Sequence, residues 1–183
     1  IGADSMSKIL DWKDRTTSVL FGDGAGAVLL EKIESDNSSH FNWGVLSNVI
    51  HTDGNFHDIL YTDGGVGKSQ TSGYIKMKGK DVFKHAVEKL SNSFIEALNK
   101  ANLSTRDIDW LIPHQANQRI INAVGEKLGF NENKIISTVY YHGNTSAASI
   151  PLALDHAINK KMVKNGDFIG LQAIGGGLSW GSS

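Results

Sequence analysis

The sequence predicts an α/β sandwich, with helices packed on a sheet. Short apolar, β-branched runs alternate along the chain with segments whose apolar residues recur every three or four positions. Three polar or glycine-rich strings, "PHQANQR", "YHGNTSAAS" and "IGGGLSWG", fall where such runs end. The composition is that of an ordinary globular domain: 183 residues, 40% apolar, 20% charged and net charge −1. A balance this even excludes the charge excess expected of a nucleic-acid or acidic-lipid binder. There is no cysteine, so disulfides and thiolate metal ligands are excluded, which fits a reducing, cytoplasmic setting. No apolar run approaches the roughly 18 residues of a membrane span. The opening "IGADSMSKIL" lacks a signal-peptide pattern and reads as the tail of a strand.

"TSVLFGDGAGAVLLEK" (17–32) places two apolar runs around a glycine-rich string and predicts strand, tight turn, strand. The polar "IESDNSSH" (33–40) reads as a connection, dividing a unit over 1–34 from one over 35–183. Residues 41–50 alternate like a strand, and 52–72 read mostly as loop. "KDVFKHAVEKLSNSFIEALNKA" is the clearest helix, with Phe83, Ala86, Val87, Leu90, Phe94, Ala97, Leu98 and Ala101 on one stripe. Ser104, with Asp107 three positions on, resembles a capping pair ahead of the strand "DWLIP". "NQRIINAVGEKLG" is a second amphipathic helix, stopped by Gly129. Residues 134–140 predict another strand. "NTSAASIPLALDHAI" predicts a helix of small residues that loses one backbone bond at Pro151, and 167–174 predict a last long strand.

Taken singly, the strings at the strand ends have plain roles. His114 is a hydrogen-bonded structural residue, Asn144 a helix cap, and the triple glycine a turn. Together they offer a neutral donor or base, a carboxamide donor and unobstructed backbone amides. Those are the parts of a site that stabilises a developing negative oxygen. Two other strings are decoys. "DGGVGKS" lacks the first glycine of a phosphate loop, and "GDGAGA" lacks dinucleotide spacing. Histidines 40, 51, 57, 85 and 156 show no metal-ligand spacing, so no metal is expected.

"PHQANQRI", "GNTSAASIP" and "GGGLSWGS", with "DRTTSVLFGDGAGAVLLE" upstream, resemble β-ketoacyl-acyl-carrier-protein synthase III of the thiolase superfamily. The resemblance runs over essentially the whole chain and implies the C-terminal half of the thiolase-like layered αβαβα fold, with 1–34 a remnant of the other half. It implies condensation of a short acyl-CoA primer with malonyl-acyl-carrier protein, the step that initiates type II fatty acid synthesis. The family's nucleophilic Cys would lie in a preceding half, so the 183 residues alone are expected to be inactive.

The resemblance also assigns residues. His114 and Asn144 match the catalytic pair that works with the Cys, and Gly176 matches an oxyanion-hole amide. Asn117, Gly79 and Phe83 match pantetheine contacts, and Arg15 matches the Arg that lies against the adenine of coenzyme A. Arg119 matches a basic residue that attracts the carrier protein, and Phe21 a wall of the acyl pocket. No cofactor is implied beyond coenzyme A and phosphopantetheine as carriers, and a homodimer is expected. Ile174 departs from the aromatic residue the family often has before the triple glycine. Two alternatives stay open: a non-catalytic piece that binds acyl-CoA or carrier protein, and another thiolase-superfamily condensing enzyme.

Overall fold

In a computed structural model of the chain, residues 1–32 and 44–183 are described. Strands β1 (Gly2–Asp4) and β2 (Gly24–Gly26) pair antiparallel. Strand β3 (Val49–Thr52) follows, then β4 (Leu60–Thr62) and β5 (Ile75–Met77), which pair with each other. Helix α1 (Gly79–Lys100) leads to β6 (Trp110–Pro113) and α2 (Gln118–Leu128). A single turn, α3 (Val139–His142), precedes α4 (Ser149–Asn159), and the chain closes with β7 (Ile169–Gly175) and β8 (Ser179–Ser182).

The main sheet has the order β3–β8–β7–β6, with β6 parallel to β7 and the other pairs antiparallel. On one face, Ala86, Leu90, Phe94 and Leu98 of α1 meet Leu111 of β6 and Ile120 and Val124 of α2. On the other, Ile112 packs with Ala153 and Ala157 of α4. Leu111 and Ile112 are neighbours in sequence and serve opposite layers because successive strand side chains alternate in direction. All of these core residues are buried, so the expected sandwich of helices on a sheet is present. Helix α2 begins at Asn117, whose side chain accepts the Ile120 N–H at 2.9 Å, and ends at Gly129 with φ +75. Both ends are where the sequence places them.

Four expectations need correction. In 17–32 the strand is the glycine string itself, and no strand flanks it. Strand β2 crosses the start of α4 closely. A Cβ on Gly24 would lie 2.9 Å from Thr145 Cβ, and one on Gly26 would lie 2.6 Å from Pro151 Cβ. These glycines serve close approach rather than a turn. Residues 134–140 are not a strand. Ile135 makes one bridge to Leu111, after which the Thr138 and Val139 amides donate to the Gln115 side chain instead of to a ladder. Pro151 is the third residue of α4, where the N–H has no intrahelical partner, so it costs no helix bond. Strand β8, absent from the sequence reading, adds an antiparallel return after the triple glycine.

One expectation lies wholly, and another partly, outside the described residues. These are the connection at 33–40, with its boundary after residue 34, and the first part of the strand expected over 41–50. The strand that is described there runs from Val49 to Thr52. The 52–72 segment is mostly loop but contains β4. Ser104 and Asp107 do bond, both N–H and Oγ donating to Oδ2, and they close a turn rather than a helix.

Candidate active site

Strands β6 and β7 run parallel in the register Pro113↔Gln172, so their C-terminal ends open into the same crevice. Such crevices are where ligands bind in α/β folds. His114 leaves β6 with its N–H bonded to the Gln172 carbonyl at 2.7 Å. The next residue, Gln115, is buried and uses its carboxamide in full. Its Nε2 donates to the carbonyls of Pro113 (2.7 Å) and Ile136 (3.2 Å), and its Oε1 accepts from Thr138 (2.7 Å) and Val139 (3.2 Å). That cross-tie fixes the loop carrying the imidazole. The His114 Nδ1 lies 2.6 Å from Ser149 Oγ at the start of α4.

Asn144 is held from both sides. Its N–H donates to the Leu20 carbonyl at 2.8 Å, and its own carbonyl accepts from Gly22 at 2.9 Å. Its Oδ1 accepts the Ser146 N–H at 2.9 Å. The oxygen is thereby identified, and the NH₂ group remains for a ligand. Asn144 is not the helix cap the sequence suggests: α4 starts five residues later, at Ser149, and the Oδ1 bond to Ser146 N–H closes a local turn instead.

His114, Asn144, Gly176, Asn117 and Phe21 line one cavity of about 440 Å³. Its walls are otherwise mainly apolar, with Leu60, Ile75, Ile120 and Leu178 among them, and Ile174 also faces it. Gly176 passes close to the main chain of β4: a Cβ there would sit 2.9 Å from the Leu60 carbonyl oxygen.

Four expected site residues lie outside that lining: Arg15, Gly79, Phe83 and Arg119. Gly79 and Phe83 are in the first turns of α1, and Arg119 is in the first turn of α2. The Arg119 guanidinium lies 5.4 Å from the Phe83 ring centroid, a cation–π contact between the two helix starts. Arg15 is exposed, in the turns before β2.

Among the described residues, no Asp, Glu, Lys or Arg lines the cavity. Burial, with no carboxylate to offset it, pushes the His114 imidazole down to about 4. The ring is therefore neutral near pH 7, and the site offers uncharged donors. Among the described residues, no group of three or more His, Asp or Glu is placed to hold a metal ion, and no helix is long and apolar enough to cross a membrane.

The sequence reading gave no role to Gln115 or Ser149. Both are polar and lie in strings quoted for other residues, Gln115 directly after His114 at the end of β6 and Ser149 between Ala148 and Ile150. A carboxamide or hydroxyl that a fold buries in such a setting must find partners, and that was the available signal.

Layered helices on a mixed sheet, with the cavity at the ends of its parallel strands, define a protein of the thiolase-like α/β class. Residues 98–183 match the family model described as 3-oxoacyl-[acyl-carrier-protein] synthase III C terminal, and residues 1–54 match the model described as 3-oxoacyl-[acyl-carrier-protein] synthase III. The chain belongs to this family. A β-ketoacyl-[acyl-carrier-protein] synthase III of Dinoroseobacter shibae is 53% identical over 182 residues, which cover 100% of this chain and 56% of that protein. The crystal structure of the Aquifex aeolicus 3-oxoacyl-[acyl-carrier-protein] synthase III matches with a TM-score of 0.88 at 42% identity, covering 99% of this chain and 55% of that one. The corresponding Pseudomonas aeruginosa structure matches with a TM-score of 0.84 at 34% identity, covering 99% and 55%. The chain thus spans a little over half the length of the relatives it matches.

Proposed function

We propose that the full-length protein carrying this sequence condenses a short acyl-CoA primer with malonyl-acyl-carrier protein, giving 3-oxoacyl-carrier protein, carbon dioxide and free coenzyme A, which leaves when the primer passes to the cysteine. The observation that carries this reading is the convergence of a neutral imidazole and a free carboxamide NH₂ on one uncharged cavity. When the malonyl C–C bond breaks, its electron pair moves toward the thioester oxygen as an enolate. Two neutral N–H donors stabilise that oxygen more than they stabilise the ground-state carbonyl. A cation in their place would also hold the malonyl carboxylate and so stabilise the ground state. The enolate carbon then attacks an acyl group carried on a cysteine outside these 183 residues. The Gly176 N–H serves the tetrahedral oxyanion, and the thiolate leaves as it collapses.

Phe21 forms a wall of the acyl pocket, and Asn117, Gly79 and Phe83 take the pantetheine arm. Arg15 takes the adenine and Arg119 attracts the carrier protein. Coenzyme A and phosphopantetheine act as carriers, with no other cofactor. The working form is a cytoplasmic homodimer. The test is a condensation assay on the full-length protein with acetyl-CoA and malonyl-carrier protein. His114→Ala and Asn144→Ala should each lower product formation by roughly 100- to 1,000-fold. Undiminished activity in both variants would overturn the reading.

A further inference from the structure

The hydrogen bonds around Ser149 determine which nitrogen of His114 faces the cavity. Ser149 is the first residue of α4 and is 2% exposed. Its Oγ lies 2.6 Å from His114 Nδ1 and accepts the Gln115 N–H at 3.3 Å. A hydroxyl has one proton and two lone pairs. One lone pair receives the Gln115 N–H. Among the described residues, the hydroxyl proton has one acceptor within reach, the Nδ1 lone pair, because Oγ makes no bond back to the preceding turn of backbone. Were Nδ1 to carry the ring proton, Oγ would receive two N–H donors and its own proton would be buried without a partner. Stranding a buried polar hydrogen shifts an equilibrium by roughly 10- to 100-fold.

We propose that Ser149 is the positioning residue that holds His114 as its Nε2–H tautomer, so that the cavity receives an N–H donor rather than a lone pair. The hydroxyl is the donor and Nδ1 the acceptor, and no proton changes hands between them. A bare Nε2 would repel a nascent oxyanion, so the fraction of molecules in the correct tautomer scales the rate of any step that builds one. The consequence for catalysis rests on the condensation reading given above, whereas the tautomer itself does not.

The test uses the full-length protein labelled with ¹⁵N in its histidine rings, with the His114 signals assigned by their loss in His114→Gln. The expected wild-type spectrum near pH 7 shows a protonated Nε2 and an unprotonated Nδ1. Ser149→Ala should give a mixture of both tautomers and lower malonyl decarboxylation roughly tenfold, with little change in the KM for the malonyl substrate. Ser149→Thr, which keeps a hydroxyl, should restore the wild-type ring spectrum. A wild-type ring protonated at Nδ1 would overturn the assignment whatever the activity, and so would a Ser149→Ala protein with an unchanged tautomer and full rate. A wild type with the expected ring spectrum but no condensation would uphold the tautomer and overturn the reaction reading alone.

Discussion

The Oδ1 of Asn144 accepts the Ser146 amide hydrogen at 2.9 Å, and this one bond fixes which end of the carboxamide is the oxygen and which the NH₂ donor. A side chain that cannot titrate gives a donor at any working pH. Under the proposed condensation, its contribution would fall on the step that creates an enolate, not on acyl transfer to a cysteine. Asn144→Ala in the full-length protein should therefore slow malonyl decarboxylation by about 3–4 kcal/mol of barrier. Acyl-enzyme formation from acyl-CoA should remain within severalfold of wild type. Single-turnover measurement of the two half-reactions separates them, and equal loss of both would remove Asn144 from its assigned step.

The half-buried His114 gives a signed pH dependence. Its folded pKa is depressed to about 4, against roughly 6.5 in an unfolded chain. Between those values the unfolded chain holds the extra proton, so stability rises with pH across this window. The contribution is fully present above about pH 6.5 and is lost as pH falls toward 4, for a total of about 3 kcal/mol. Urea unfolding of the wild type from pH 7 to 4 should show this decline, and in His114→Ala that part of the slope should vanish.

The Gln115 carboxamide makes four hydrogen bonds to backbone. Gln115→Leu keeps much of the volume and strands two buried amides and two carbonyls. Each stranded group costs about 1–3 kcal/mol, reduced where water reaches it. A net loss of about 3 kcal/mol in urea unfolding is the expected outcome. A variant as stable as wild type would show that the cross-tie contributes nothing to the fold.

Gly26 and Gly54 form a matched pair of tests. A Cβ at Gly26 would collide with Pro151, whereas at Gly54 nothing lies within 4 Å. Gly26→Ala should lower stability by about 1–3 kcal/mol through overpacking. Gly54→Ala should be neutral, or stabilising by up to about 1 kcal/mol, through the unfolded chain. Thermal melts of the two variants side by side provide the comparison.

These cases also show what a sequence can disclose here. Helices α1 and α2 were legible because their apolar spacing is long and regular, and because Asn117 and Gly129 mark the ends of α2. That His114, Asn144 and Gly176 line one cavity agrees with the grouping of their three strings, although Asn144 follows the single turn α3 rather than a strand; the individual roles came from the family resemblance. Strand β2 was misread since Gly24 and Gly26 are selected by Thr145 and Pro151, partners that sequence proximity does not reveal. The stretch 134–140 has the composition of a strand, but its amides are claimed by Gln115 from another loop. Ser149 was passed over because its partners, His114 and Gln115, lie 35 and 34 positions away. Long-range pairing, rather than local preference, accounts for these three misses, whereas Pro151 was misplaced by where α4 begins.

Hydrogen bonds hold the two polar side chains of the cavity, whereas apolar side chains shape its walls. His114 and Asn144 are fastened by Gln115, Ser149, Ser146 and the backbone at 20–22, while the side chains of Leu60 and Ile174 shape the space beside them. If the proposed condensation holds, exchange of such a wall residue alters which primer fits and leaves the reacting atoms undisturbed. Descendants of one such scaffold would diverge in diet while sharing a single chemistry.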